Sequence, residues 1–279
     1  MGEIFTLLFV QPITNVLIAI YQLLIALHIP SPLGFSIILL TIVIRLVLYP
    51  LMGAQLKSSK KMQDVAPLLA ALKEKYKGNA SKIQSETMLL YKQNGINPAA
   101  GCLPVIVQLP VIWGLYTVLQ EVVKLTSLAQ VNKLVYVDSL RLSQMWDPHF
   151  FSIPLGQTPA HLVSTVGFGI LILPILTGAS QFIQSKMMIP AKKPVATTVK
   201  KDSTADFATA FQTQSLYIFP LMIGFFSYNF PVGLSFYWIT FTVFGIIQQY
   251  LMQKNAAIPV IPLKLSEKKT VRAKGKKKK

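Results

Sequence analysis

The chain has 279 residues, of which 52% are hydrophobic and only 13% are charged. Because a soluble domain normally has about a quarter of its residues charged, this composition excludes a soluble domain and indicates a polytopic membrane protein. The formal net charge is +17, and Cys102 is the only cysteine, which excludes an intrachain disulfide and a cysteine-based metal site.

The N-terminal segment 1–30 is apolar but carries polar side chains at near-helical spacing. Gln11, Asn15 and Gln22 leave one wetter side on a helix. The segment has no basic n-region and no small-residue cleavage site, so we expect a mature N-terminus and not a signal peptide. We interpret it as an amphipathic helix in the outer interface of the membrane. A sixth transmembrane span is the alternative, because charge does not exclude it.

Transmembrane helices are predicted from apolar stretches of about 20 residues, the length that crosses the hydrocarbon core. Four stretches reach this length, and the last is long enough for two helices, separated by a break at Pro231 and Gly233. The five predicted spans are residues 33–56, 103–124, 163–187, 214–229 and 233–253. The sequence therefore predicts an all-α integral membrane protein.

The charges between these spans predict their orientation. The connecting segments 57–98 and 188–211 and the tail 254–279 are net positive, whereas the connecting segment 125–162 has no net charge. Positively charged segments are retained in the cytoplasm, so we expect the neutral segment outside. This places the N-terminus outside and the C-terminus in the cytoplasm.

Segment 57–98 differs from the spans because it is both charged and amphipathic. Apolar residues recur at helical spacing on both sides of the sequence KGN at 77–79, where glycine suits a helix C-cap. This pattern predicts a cytoplasmic helical hairpin, with Pro67 interrupting its first helix. We expect it to have no core of its own and to be mobile on the lipid surface or on a partner.

The tail 254–279 is rich in lysine and almost free of apolar residues, so it is expected to be disordered. Two interpretations of its charge stay open. Anionic lipid headgroups attract clustered lysines, and so do the phosphates of ribosomal RNA.

Arg45 lies in the middle of the predicted span 33–56, where no other residue is charged. A positive charge at the bilayer midplane costs roughly 2.5 to 3.5 kcal/mol on insertion scales, so such residues usually face a wet cavity or a partner. None of the ten acidic residues lies in the middle of a predicted span. We predict a hydrated groove around Arg45, with Thr41 one turn away and Gln181 on another span. Snorkelling of Arg45 to the nearer interface is the less favoured alternative.

A hydrated groove with an unpaired cation is suited to bind an acidic or polar segment of another protein in transit across the membrane. A channel or small-solute transporter using the same cavity is the alternative, although the sequence has no intramembrane carboxylate of the kind coupled transporters use. No Ser–His pair or metal-binding trio is predicted at membrane depth, so we expect neither enzyme activity nor a cofactor.

Four motifs resemble the YidC/Oxa/Alb family of membrane protein insertases, and most closely its bacterial members in a minimal form without a large extracytoplasmic domain. They occur in family order: LGFSIILLTIVIRLVLYPL (33–51), LLYKQNGINPAAGCLPVIVQLPVIWGLY (89–116), ILPILTGASQFIQSKM (172–187) and FPVGLSFYW followed by IIQQY (230–250). The resemblance implies five transmembrane helices around a hydrophilic groove that opens to the cytoplasm and lipid, preceded by an interfacial helix.

The same resemblance implies roles for particular residues and partners. Arg45, Thr41, Gln181 and Trp238 match groove-lining positions of the family, although we expect packing to be the larger role of Trp238. The hairpin would receive nascent membrane protein substrates, and the basic tail would contact the ribosome. Further implied partners are the Sec translocon and the signal recognition pathway, with the protein active as a monomer in the bacterial inner membrane.

Overall fold

A computed structural model describes residues 2–97, 103–122, 127–187 and 205–254. Most of this part of the chain is helical. In chain order the helices are α1 (Glu3–Ala26), α2 (Pro32–Val47), α3 (Tyr49–Lys75), α4 (Ala80–Gln93), α5 (Leu103–Thr117), α6 (Leu128–Asn132), α7 (Pro159–Val166), α8 (Ile172–Met187), α9 (Ala205–Asn229) and α10 (Val232–Lys254). Two short antiparallel strands, β1 (His149–Phe150) and β2 (Ile153–Pro154), form a β-hairpin. Cys102, the predicted tail beyond residue 254 and most of the predicted loop 188–211 lie outside the described residues.

Several of these helices are suited to cross a membrane. By length and composition, α1, Phe168–Met187 and Val232–Met252 each reach the length of a span, and α2 and α3 reach it as one bent pair. Two more helices are apolar but shorter, at Ile106–Gln120 and Leu216–Asn229. The chain is therefore an all-α integral membrane protein. The number of helices that cross the bilayer stays a prediction.

The prediction of one continuous helix over residues 33–56 is wrong. α2 ends at Val47, and α3 begins at Tyr49 after a bend of 64°. Pro50 in the first turn of α3 explains the break, because proline has no N–H to donate and its ring clashes with the carbonyl four residues earlier. Arg45 consequently lies in the last turn of α2 and not in the middle of a long helix.

Two other predicted boundaries also differ from the structure. The predicted span 163–187 is broken at Gly167, whose φ of +90° is readily adopted only by glycine. The apolar helix begins after this break, at Phe168, with a 3-10 turn that continues into α8. Helix α9 begins at Ala205, inside the predicted loop 188–211.

The polar side of α1 contacts protein. The amide of Asn15 donates to the carbonyl of Leu134 at 2.8 Å and accepts from the N–H of Tyr136 at 2.8 Å. About two turns further on, Gln22 donates to the carbonyl of Leu140 at 3.1 Å. The polar side predicted for this helix therefore binds the segment that follows α6. An interfacial position of α1 stays a prediction, because α1 is also long and apolar enough to span.

The β-hairpin closes one end of the helix bundle. The ring of Phe150 packs so tightly on the backbone of Gly34 in α2 that a Cβ at this position would overlap it. Just after the hairpin, the carbonyl of Leu155 accepts the N–H of Gly233 at 3.0 Å. This bond satisfies one of the free N–H groups in the first turn of α10. The strands are too short for periodicity to have predicted them.

The helical hairpin formed by α3 and α4 has a small core, contrary to the prediction that it has none. Val65, Leu90 and Ile96 are buried together. The turn between the helices contains Gly78 with φ +84°, as the KGN sequence predicts. Pro67 lies within α3 without ending it. Packing of side chains from three parts of the hairpin therefore defines its shape.

Glycines allow α8 and α9 to cross closely. A Cβ added to Gly178 of α8 would lie 3.2 Å from the carbonyl oxygen of Pro220 in α9, so the two backbones are nearly in contact. Small residues at such crossings are typical of membrane helices, where close packing is the main source of association. Helix α10 packs against α8 on one side and α2 on the other, and so occupies the centre.

Candidate functional site

Polar and aromatic side chains from three helices meet where α2 and α8 both pack against α10. Arg45 comes from α2 and Gln184 from α8, and both side chains fill the space beside Gly245 of α10. Phe241 lies one helical turn before Gly245, on the same face of α10. These four residues are called the arginine seam below.

The guanidinium of Arg45 is held by one residue in two ways. Its Nη2 donates a hydrogen bond to the backbone carbonyl of Phe241. Its Cζ atom lies 3.4 Å from the centroid of the same phenyl ring, and the ring of Phe244 is 6.0 Å away. A cation over an aromatic face contributes roughly 0.5 to 2 kcal/mol, and the larger values apply when water is excluded.

Among the described residues, no carboxylate forms an ion pair with Arg45 in the seam. Within the described part of the chain it forms no salt bridge, since the ion pairs found there are Arg141 with Asp138 and His149 with Asp147, both exposed. Its Nε has no hydrogen-bond partner among the described residues. One carbonyl and one ring face therefore satisfy only part of the five-donor guanidinium.

The predicted open, hydrated groove is not what surrounds Arg45 in this structure. The residue is only 3% exposed, so neighbouring helices cover it. The next two residues of α2, Leu46 and Val47, are exposed. The sequence prediction was wrong about exposure because α8 and α10 cover Arg45, and both helices lie far from it in the sequence.

Thr41, one turn before Arg45, is fully buried. Its hydroxyl donates to the carbonyl of Ile37 at 2.7 Å, within its own helix. Such a bond satisfies a threonine in an apolar environment without any partner from another helix. Thr41 therefore lies beside the seam with its donor already used, and a role in contacting a substrate stays a prediction.

Gln181 of α8 lies near α10, as the predicted convergence of spans requires. Its Oε1 accepts from the hydroxyl of Thr242 at 3.5 Å, a long hydrogen bond between half-buried and buried side chains. Gln184, one turn later on α8, is the residue that reaches Gly245. The two glutamines thus give α8 a polar edge that faces α10 at the level of the seam.

Trp238 lies less than one turn before Phe241 on α10. It is 5% exposed and its indole stacks on Phe230, with ring centroids 6.0 Å apart and an interplanar angle of 14°. This is a packing contact. A groove-lining role for Trp238 stays a prediction.

Two residues of the seam were missed by sequence reasoning, namely Phe241 and Gly245. Their signal in the sequence is the spacing of Tyr237, Phe241 and Gly245, which places them on one face of a helix. This face of α10 makes a further polar contact, since Gln108 of α5 hydrogen-bonds the buried hydroxyl of Tyr237. Nearer the end of α10, Gln248 donates to the carbonyl of Tyr49 at 3.3 Å, where α2 and α3 bend.

Fold and site together define an α-helical membrane protein with a buried arginine at the junction of three helices, unpaired within the part of the chain that the structure describes. Comparison with known sequences extends this description. The chain belongs to the 60Kd inner membrane protein family, whose model matches residues 14–258.

Named relatives come from chloroplasts and bacteria. The chain is 36% identical to the inner membrane protein ALBINO3 of Arabidopsis thaliana over 238 residues, which is 82% of this chain and 48% of that protein. It is 32% identical to the membrane protein insertase YidC of Oceanobacillus iheyensis over 225 residues, 79% of this chain and 74% of that protein. The corresponding protein of Wolinella succinogenes is 32% identical over 222 residues, 80% of this chain. The chain spans about a third of the Wolinella protein and about half of ALBINO3.

Proposed function

We propose that this protein inserts nascent proteins into the membrane and assists their folding there, without making or breaking a covalent bond. The observation that carries the proposal is the charge of Arg45, which is buried between helices and unpaired within the described part of the chain. Relatives that the chain matches over about four fifths of its length are named membrane protein insertases, which supports the same activity here.

The chemistry of the seam fits an acidic or polar segment of a client protein. A carboxylate accepts two parallel N–H bonds from a guanidinium, which the single carbonyl of Phe241 does not offer. In a site screened from water this attraction is several times stronger than at an exposed surface. Arg45 therefore draws such a segment between α2 and α10, while the apolar part of the client passes into lipid.

The groove of this mechanism forms as α2 and α8 separate from α10. Separation uncovers Arg45, Thr41 and Gln181 along one path, and water enters with the client. Trp238 lies at the end of this path that is nearer the β-hairpin. The polar groups lower the cost of moving client side chains through hydrocarbon, where an unpaired polar group costs several kcal/mol.

The remaining assignments extend the proposal to the cytoplasmic side. The hairpin of α3 and α4 makes early contact with the client, and the basic tail holds the ribosome close to the membrane. The protein works alone on small clients and with the Sec translocon and the signal recognition pathway on larger ones. It acts as a monomer with five spans in a bacterial inner membrane, with its N-terminus outside and its C-terminus in the cytoplasm.

Site-specific crosslinking tests the proposal. A photo-crosslinking amino acid replaces Gln181, and ribosomes carrying a stalled short membrane protein are added to membranes containing the variant. We expect adducts between position 181 and the polar segment of the client. Ile183, two residues away and exposed on the other side of α8, is the matched control and should give fewer adducts with that segment.

The alternative function predicts a different result. Without adducts at position 181, and with solute flux through liposomes that contain the purified protein, the insertase proposal is wrong and a channel or transporter is favoured.

A further inference from the structure

We infer that Gly245 is a positioning residue for Arg45: its missing side chain creates the place on α10 where the guanidinium lies. The inference rests on the proposed function, because Gly245 would keep the charge of Arg45 at the depth where a client passes. Gly245 itself makes no chemical contact with the client.

The first argument is access to the helix backbone. Side chains of an α-helix point towards its N-terminus, so the side chain of a residue covers the carbonyl about one turn earlier. At position 245 this carbonyl is that of Phe241, the hydrogen-bond acceptor of Arg45. Because Gly245 has no side chain, this carbonyl can accept from the guanidinium from the side as well as taking part in the helix.

The second argument is volume. A Cβ on Gly245 would lie 2.6 Å from Nη2 and 3.3 Å from Cζ of Arg45, and it would also overlap the amide nitrogen of Gln184. Real Cβ atoms do not approach other atoms as closely as 2.6 Å, so the ends of both side chains must shift away from position 245. Glycine is among the least favourable residues inside a helix, which makes its presence in the middle of α10 informative.

The third argument is that the guanidinium has a nearby exit. Arg45 lies in the last turn of α2, next to two exposed apolar residues, and its Nε has no partner among the described residues. A guanidinium displaced from the seam can extend towards the membrane interface, as long basic side chains do near helix ends. The charge would then be absent from the α2–α10 junction.

Arginine NMR provides a direct test. The chain has three arginines, Arg45, Arg141 and Arg272, so selective labelling of arginine side chains in the full-length protein in lipid nanodiscs gives few signals. An Arg45→Lys variant assigns the signal of interest. In the wild type we expect an upfield ring-current shift of the Arg45 guanidinium, because it lies over the face of Phe241.

Gly245→Ala should abolish this shift, and Phe241→Leu should abolish it as well while leaving the backbone carbonyl in place. The matched control is Gly53→Ala, because Gly53 is also a helical glycine but an added Cβ there would meet only Met252, at 3.9 Å. This control should leave the Arg45 signal unchanged. A wild-type signal without a ring-current shift, or a shift that persists in Gly245→Ala, would overturn the inference.

Insertion assays separate positioning from general packing. For a client with an acidic translocated segment, Gly245→Ala should reduce insertion by the same factor as Arg45→Ala, and the double variant should be no worse than either. Arg45→Lys should restore insertion in the Gly245→Ala background, because an ammonium needs less space than a guanidinium. Additive losses without rescue by lysine would show a packing role and contradict the inference.

The two proposals fail in different ways. If Arg45→Ala inserts such clients as well as the wild type, the proposed role of Arg45 in insertion is wrong, while the NMR result still decides whether Gly245 positions it. If the ring-current shift is missing, the positioning role is wrong whatever the insertion assay gives.

Discussion

The hydroxyl oxygens of Ser227 and Ser235 lie 2.8 Å apart, and this contact connects α9 to α10 across the break at Pro231. Both serines are fully buried, and Ser227 also donates to the hydroxyl of Thr177 in α8 at 3.2 Å. Three helices are therefore joined by a buried cluster of hydroxyls. Since a buried polar group without a partner is costly in a membrane, this cluster helps to define how the helices pack.

Ser227→Ala should destabilise the protein by about 1 kcal/mol, because it leaves the hydroxyls of Thr177 and Ser235 with fewer partners. Unfolding by denaturant in detergent micelles, followed by tryptophan fluorescence, measures the free energy of unfolding. The double variant Ser227→Ala/Ser235→Ala should lose less than the two single losses combined, because the partners are removed together. Strict additivity would show that the two serines do not interact.

Gly34→Ala should loosen the β-hairpin, because the added methyl group overlaps the ring of Phe150. We expect a loss of about 1 to 3 kcal/mol, as for other overpacked positions. Limited proteolysis of the hairpin region in proteoliposomes should become faster. Phe150→Leu combined with Gly34→Ala should recover part of the protection, because leucine is smaller than phenylalanine. Equal protection of the wild type and Gly34→Ala would contradict the tight contact.

Local signals in the sequence predicted the breaks of the fold better than its continuous parts. Gly78 and Pro231 act through their own backbone geometry, and the structure has breaks at both places, whereas Gly233 already lies in the first turn of α10. The bend at Pro50 was missed because the apolar stretch continues through it, so hydropathy alone indicates one helix. Arg45 is covered because of the way the helices pack, and the composition of the chain does not predict that packing.

The candidate site shows the same limit. Arg45 is conspicuous as the one charge in its apolar stretch. Its partner Phe241 is separated from it by 196 positions in the chain, so no local spacing connects the two residues. Gly245 is conspicuous only once α2 and α8 are known to meet at α10. Sequence therefore predicted the charged group, and the structure adds what holds it.

Labelling of an introduced cysteine tests the position of α1. In a Cys102→Ser background, Glu3→Cys should react with a membrane-impermeant maleimide added from outside if α1 lies in the outer interface. Ser143→Cys is the control for the segment predicted outside and Lys92→Cys for the hairpin predicted in the cytoplasm, and the side chains of Ser143 and Lys92 are exposed. Reaction of Glu3→Cys only from the cytoplasmic side would show that α1 is a sixth span.

Leu90→Ala should unfold the helical hairpin of α3 and α4 locally. Leu90 is fully buried against Val65 and Ile96, and truncation of a buried leucine costs about 2 to 5 kcal/mol. Hydrogen exchange should become faster in α3 and α4 and stay unchanged in α8 and α10. Met88→Ala is the control, because Met88 is exposed on the same helix. Faster exchange throughout the protein would mean that the hairpin is not an independent unit.

The hairpin should also lose stability at high pH. Burial raises the pKa of Tyr91 above its ordinary value, so the folded hairpin favours the neutral phenol. The stabilisation is complete below the pKa of an unfolded tyrosine, about 10, and decreases as the pH rises above it. Hydrogen exchange corrected for its intrinsic pH dependence measures this loss, which Tyr91→Phe should reduce.

Arg45→Met should make the protein more stable and less active. Methionine keeps an extended side chain in the seam but removes the buried charge and the Nε that has no partner among the described residues. This removal should raise the free energy of unfolding by about 1 to 3 kcal/mol. Loss of the cation–π contact with Phe241 should lower it by about 1 kcal/mol. We expect a net gain of about 1 kcal/mol in the free energy of unfolding in detergent. Insertion of clients with acidic translocated segments should fall sharply, whereas clients with neutral segments should be affected less. If Arg45 is kept for client binding, its removal should raise stability and lower activity. A variant that is both less stable and fully active would instead show that Arg45 is a structural residue.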